Sequence, residues 1–289
     1  MESDAERLSI SEVSRFLDVP IPTIRSWERR YGVPTPARTG GGHRRYTREE
    51  VDLIRAMRDE IVRGASARDA SRRVRQAPAP SVEPSPHLDL VLERVLDLDD
   101  EGIRSALDAA ADGLGVERAV VEVALPALRE VGDRWAGGRC DVAQEHVATN
   151  EVRTWIARLG RTAPPPFRPA PIVLAAAPEE THVTGLEAFA LLLARRGWST
   201  LLLGARTPVE SLVRTVQRVP PAAVVLSSQW TRARRSALEA LEAVASATSA
   251  PIFYAGAAFA VPSRREGVPG SYLGDELLGS VDVLDRAAG

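Results

Sequence analysis

Two proline-dense stretches, QAPAPSVEPSP at 76–86 and RTAPPPFRPAP at 161–171, dictate what this chain can become. Proline fixes φ and removes a backbone donor, so neither a helix nor a central strand runs through such a segment. The 289 residues therefore divide into a head (1–75), a linker (76–86), a middle (87–160) and a tail (161–289). With 44% hydrophobic and 26% charged residues, the chain has the balance of packed domains rather than of disorder. No apolar run nears the ~18 residues of a membrane span. The opening MESDAERLSI lacks the basic start and apolar centre of a signal peptide. The single cysteine, Cys140, excludes an intrachain disulfide and a multi-cysteine zinc site. These features predict a cytoplasmic protein with no membrane partner.

Each part has its own period. In the head, Ser9-Ile10-Ser11-Glu12 reads as a capping box before Val13, Phe16 and Leu17. Asp18-Val19-Pro20 breaks that helix. A second helix starts near Pro22, turning Ile24, Trp27 and Tyr31 inward and Thr23, Arg25, Ser26, Arg29 and Arg30 outward. Two short helices across a tight turn form a helix-turn-helix pattern. A further box, Thr47-Arg48-Glu49-Glu50, opens a helix carrying Val51, Ile54, Ile61 and Val62.

The middle predicts four helices, marked by Leu88–Leu96, Ile103–Leu114, Val120–Trp135 and Val142–Leu159, and short connections favour an antiparallel bundle. The tail alternates apolar runs at 171–177, 199–204, 222–228 and 251–256 with helical patterns, and SYLG at 271–274 offers a fifth strand. That alternation predicts a doubly wound parallel sheet. The fold class is thus multidomain: a helical head and middle before an α/β tail.

A net charge of −2 hides an asymmetry. Residues 1–76 hold 16 Arg against 12 acidic residues, and the remainder 21 Arg against 27. Every basic residue is Arg, which donates two parallel hydrogen bonds to phosphate. An Arg cluster alone is equally a solvated face, so order matters more than count. TIRSWERRYGVPTPARTGGGHRRYTREEV (23–51) resembles the winged helix-turn-helix of the MerR family of transcription regulators, over about residues 8–75. The resemblance implies double-stranded operator DNA as partner. Thr23, Arg25, Ser26, Arg29 and Arg30 would read the major groove, with Arg38, His43, Arg44, Arg45 and Tyr46 around a wing turned by Gly40-Gly41-Gly42. It also implies a dimer on a palindromic site and a dimerising helix after the wing.

Two further clusters carry chemistry. Trp135 ends the third middle helix, before a stop at Gly137-Gly138, and Asp141-Val142-Ala143-Gln144 reads as a capping box that places Glu145 and His146 just inside the fourth. Glu180-Thr181-His182-Val183-Thr184-Gly185 follows the first tail strand, at the edge where open parallel sheets bind ligands. An imidazole there suits a transition metal, and a neighbouring carboxylate sets its tautomer. Cys140, Trp198 and Trp230 read as packing.

Together these residues resemble the cobalamin-binding module of methionine synthase and its regulatory relatives, over about 87–289. The spacing Trp-x9-Glu-His (Trp135, Glu145, His146) resembles the light-sensing repressors of the CarH/LitR type. The resemblance implies a Rossmann-like domain under a helical cap, with adenosylcobalamin as cofactor. It implies that His182, backed by Glu180, coordinates cobalt from below, and that the nucleotide tail passes Gly185, Ser227, Ser228 and Gly256. Trp135, Val142, Glu145 and His146 would cover the adenosyl group. Three departures stand out: Glu180 replaces the usual Asp, Ala257 replaces a second glycine after Gly256, and Ala136 replaces the histidine that follows the wedge Trp. The expected function is a cobalamin-dependent, light-responsive repressor acting as a dimer or tetramer, and not an enzyme. A light-independent cobalamin sensor and a regulator with a vestigial pocket for another ligand are the alternatives.

Overall fold

The computed structural model describes residues 8–17, 19–38, 44–62, 65–76, 85–136 and 139–288. His43, Gly40-Gly41-Gly42, Gly137-Gly138 and linker residues 77–84 lie outside the described residues, as do the side chains of Phe16, Arg38, Val62 and Ala136. The chain forms two compact units: one runs to Asp99 and includes Pro126–Ala148, the other comprises Asp100–Leu125 and Thr149–Gly289.

In the first unit, α1 (Ile10–Leu17) and α2 (Ile21–Tyr31) precede a short antiparallel pair, β1 (Ala37–Arg38) and β2 (Arg44–Arg45), then α3 (Arg48–Val62) and α4 (Ala67–Gln76). Local chemistry sets these limits. The Ser9 N–H donates to Glu12 at 2.7 Å while the Glu12 N–H donates back to Ser9 Oγ at 3.4 Å. Thr47 and Glu50 repeat the exchange at the start of α3. Helix α2 stops at Gly32, whose φ of +60° suits glycine and whose N–H returns to the Glu28 carbonyl. Arginines close two helix ends: Arg58 donates to the Leu17 carbonyl and Arg75 to the Tyr31 carbonyl. Val13, Leu17, Ile24, Tyr46, Ile54 and Met57 form the centre of the head's core.

Past the linker, Ser85 Oγ accepts the Leu88 N–H to cap α5 (Pro86–Leu96), with Pro86 where a helix has no use for an N–H. Then come α6 (Asp100–Leu114) and a helical run from Val116 to Ala136. The sequence predicts one helix there, over Val120–Trp135. Instead a turn of α7 (Val116–Arg118) leads into a π-helical segment, Ala119–Ala124, before α8 (Leu125–Ala136). The physical reason is Pro126, which cannot give the Glu122 carbonyl the N–H that an α-helix supplies. Helix α9 (Val142–Arg161) follows.

The second unit is built on β3 (Ile172–Ala176), β4 (Thr200–Gly204), β5 (Ala223–Ser227), β6 (Ile252–Ala255) and β7 (Ser271–Tyr272), with α10 (Thr184–Arg195), α11 (Val209–Arg218), α12 (Arg234–Ala247) and α13 (Leu277–Ala288). All strands are parallel, in the order β4-β3-β5-β6-β7. Alternation along β3 explains the two layers. Ile172, Leu174 and Ala176 pack with Phe189 of α10 and Leu284 of α13. Val173 and Ala175 pack with Leu212 of α11 and Leu241 of α12. Strand order reverses between β3 and β5, the switch point where parallel sheets open to ligands.

Beside that edge, Gly256 has φ +104°, and a Cβ there would lie 2.2 Å from the Ser228 carbonyl oxygen. Gly256→Ala is therefore expected to cost about 2 kcal/mol or more. Thermal denaturation checks this as a drop of several degrees.

Candidate ligand and nucleic-acid sites

The loop after β3 folds back so that Glu180, fully buried, receives four donors. Its Oε1 accepts the His182 N–H at 2.8 Å and faces His182 Nδ1 at 2.8 Å. Its Oε2 accepts the N–H groups of Gln229 at 2.6 Å and Trp230 at 3.0 Å, from the loop after β5. Burial alone would raise the Glu180 pKa, but the His182 ring and the backbone donors of His182, Trp230 and Gln229 outweigh it and hold the carboxyl at about 2. The carboxylate fixes the proton on Nδ1, which leaves Nε2 as the imidazole's coordinating or accepting atom. The His182 side chain is 55% exposed.

The depressed pKa sets a sign. Stability from Glu180 is fully present above its ordinary value near 4.5 and is lost as pH falls through about 2. The shift corresponds to roughly 3 kcal/mol. Urea unfolding should show Glu180→Gln less stable at pH 7 and the gap closing between pH 4.5 and 2.

Next to this lock, Ser227 Oγ, Ser228 Oγ and Trp230 Nε1 are buried without a hydrogen-bond partner. Such groups are costly unless something meets them. Gly185, the second residue of α10, is exposed, with open space where a Cβ would sit. Trp230 stands edge-on to His182, ring centroids 5.1 Å apart. The sequence predicts a packing role for Trp230, because only the fold brings it to residue 182. Trp198 is a packing residue, its Nε1 donating to Asp285 and its face under Arg168.

In the first unit, Trp135 and Val142 are about half exposed. The Asp141–Gln144 box forms in both directions at 2.9 Å. Gln144 also donates to the Leu96 carbonyl, which fixes the start of α9 beside the end of α5. His146 is largely exposed, its Nε2 3.6 Å from Glu145. Cys140 is buried, and burial pushes its thiol pKa up, as expected of an inert residue.

On the head, Arg25, Arg29 and Arg30 are exposed along α2, and Thr23 and Ser26 of the same helix are half-buried. Arg45 is half-buried on β2. Arg44 Nε is committed to Glu28 at 2.6 Å, which ties β2 to α2. Tyr46 corrects a sequence expectation. It is fully buried, its hydroxyl bonds to Glu28, and burial with that carboxylate drives the phenol pKa up. The ring belongs to the core and has no side-chain path to DNA. Tyr46→Phe strands half of a largely buried carboxylate, so a loss of about 1–2 kcal/mol is expected. Chemical denaturation should show that loss, with the exposed arginine face unchanged.

Comparisons with known proteins fit this layout. Residues 8–76 match the family described as MerR HTH family regulatory protein, and residues 88–159 match the B12 binding domain. The chain is 34% identical over 237 residues to the HTH-type transcriptional repressor CarH of Myxococcus xanthus, covering 77% of this chain and 79% of that protein. It is 33% identical over 242 residues to the repressor CarA of the same organism, covering 81% of each. Among solved structures, the Methanosarcina barkeri monomethylamine corrinoid protein shares the fold, with a TM-score of 0.56 at 14% identity over 70% of this chain and 98% of that one.

Proposed function

Because the chain belongs to the CarH/CarA family of MerR-type transcriptional repressors, we propose that it is a cobalamin-dependent transcriptional regulator that binds operator DNA through its head. The observation that carries the ligand reading is the Glu180–His182 lock. A half-exposed imidazole, its tautomer set, stands on the loop after β3, and the orphaned hydroxyls of Ser227 and Ser228 lie at the end of the adjacent strand β5. One imidazole suits a metal that brings its remaining ligands with it. Among the described residues no three His, Cys, Asp or Glu side chains gather into a cage for a bare ion. The residues fit cobalamin on this ground.

In this reading His182 Nε2 would hold cobalt, Glu180 would fix the tautomer through Nδ1, and Ser227 and Ser228 would meet polar groups of the nucleotide tail, with Gly185 and Gly256 beside its path. Trp135, Val142, Glu145 and His146 are assigned to the adenosyl group. When bound, adenosylcobalamin supplies a cobalt–carbon bond that light cleaves. The protein's part is differential affinity: adenosyl contacts must favour the DNA-binding oligomer over the alternative. The chain acts as a regulator in the cytoplasm, not as an enzyme. No helix among the described residues is long and apolar enough to cross a membrane.

Size-exclusion chromatography with light scattering tests this on full-length protein mixed with adenosylcobalamin, before and after green light. Co-elution of cofactor with a light-induced fall in mass and DNA affinity is expected. Ala136 favours a second reading, a sensor of cobalamin supply, since no imidazole follows Trp135 to take the freed cobalt position. Co-elution with no light effect selects that second reading, and no co-elution overturns both.

A further inference from the structure

The Glu180 hydrogen bond pins one edge of the His182 ring but leaves the ring free to tilt about that bond. A second ring faces the imidazole. The Trp230 ring lies 5.1 Å from the His182 ring at 61° between planes, an edge-to-face arrangement. The indole is itself braced. Its backbone N–H is held by Glu180 at 3.0 Å, and the Arg232 guanidinium lies 4.7 Å from its centroid. One carboxylate thus holds both ring-bearing segments, forty-eight residues apart in the chain, in register.

We propose that Trp230 is a positioning residue for His182: it holds the imidazole in one plane, so that Nε2 is presented in a single direction. This deepens the cobalamin reading above and rests on it only for the identity of what Nε2 meets. A metal–nitrogen bond needs the nitrogen lone pair on the metal axis. Groups that orient a metal-binding histidine without touching the metal are worth about 10–100-fold in affinity. Trp230 meets that description through ring contact, as Glu180 does through a hydrogen bond.

The test uses the full-length protein with Trp230→Phe, Trp230→Leu and Arg232→Ala. Its first readout needs no cofactor: nuclear magnetic relaxation of histidine ring C–H groups, with His182→Ala identifying the His182 signal among the chain's four histidines. A rigid His182 ring is expected in the wild type and in Trp230→Phe, which keeps an aromatic edge. A mobile ring is expected in Trp230→Leu, which fills space without one. Arg232→Ala, an exposed change, should loosen the ring less and guards against a folding defect in the leucine variant.

The second readout is hydroxocobalamin titrated into each protein. About tenfold weaker binding and a partly His-off absorption spectrum are expected for Trp230→Leu, with near-wild-type behaviour for Trp230→Phe. A His182 ring as rigid in Trp230→Leu as in the wild type overturns the proposal. If the wild type takes up no hydroxocobalamin while the relaxation pattern holds, the cobalamin reading falls and the positioning role stands.

Discussion

Replacing His182 with alanine is expected to weaken hydroxocobalamin binding by more than about 100-fold, since it removes the donor itself and not a group that orients it. The substitution is gentle on the fold. The side chain is more than half exposed, and Glu180 keeps the backbone donors of residue 182, Gln229 and Trp230. Melting temperature and DNA binding by the ligand-free protein should therefore change little, while the absorption bands of bound cofactor move to the base-off form. Equal affinity for wild type and variant in a spectrophotometric titration would remove His182 from the site.

The second large effect concerns the head. Changing Arg29 and Arg30 together to alanine is expected to weaken binding to a duplex selected from a random pool by about 100-fold or more, if each side chain reaches a base edge worth about 1–3 kcal/mol. Were both to touch phosphate instead, affinity would fall alike for every sequence, and the slope of log affinity on log salt would drop by about 0.9 per contact. Both residues are exposed on α2, so circular dichroism should be unchanged. Fluorescence anisotropy at several salt concentrations separates the cases, and unaltered binding at all of them would take α2 off the DNA.

These contrasts show which parts of the molecule can be read along the chain. The capping boxes at Ser9, Thr47 and Asp141 were legible because a cap is a four-residue affair, complete in the sequence. The strands of the tail were legible from their apolar runs, but their lateral order was not, since a strand buried on both faces names no neighbour. Helix α4 is not legible in the sequence because Arg68, Arg72, Arg73 and Arg75 mask a stripe as thin as Ala70 and Val74. Tyr46 reads in sequence with the arginines before it, although its ring is fully buried and theirs are only half-buried side chains. The π segment was written in Pro126, six residues inside the helix predicted over Val120–Trp135. Of the ligand cluster, Glu180 and His182 could be found by spacing. Trp230 could not, because its role comes from a carboxylate that crosses to another strand's loop.

The ion pair between Arg55 of α3 and Asp133 of α8, 2.7 Å long, joins the DNA-binding head to the helix that carries Trp135 two residues further on. Linkage between two sites is reciprocal as a matter of thermodynamics. If occupancy at Trp135 changes operator affinity by some factor through this strut, operator DNA changes ligand affinity by the same factor. The same cofactor would then be held with one strength by protein on its promoter and with another by protein free in solution. The concentration at which the regulator responds would become a property of the number of operators as much as of the pocket.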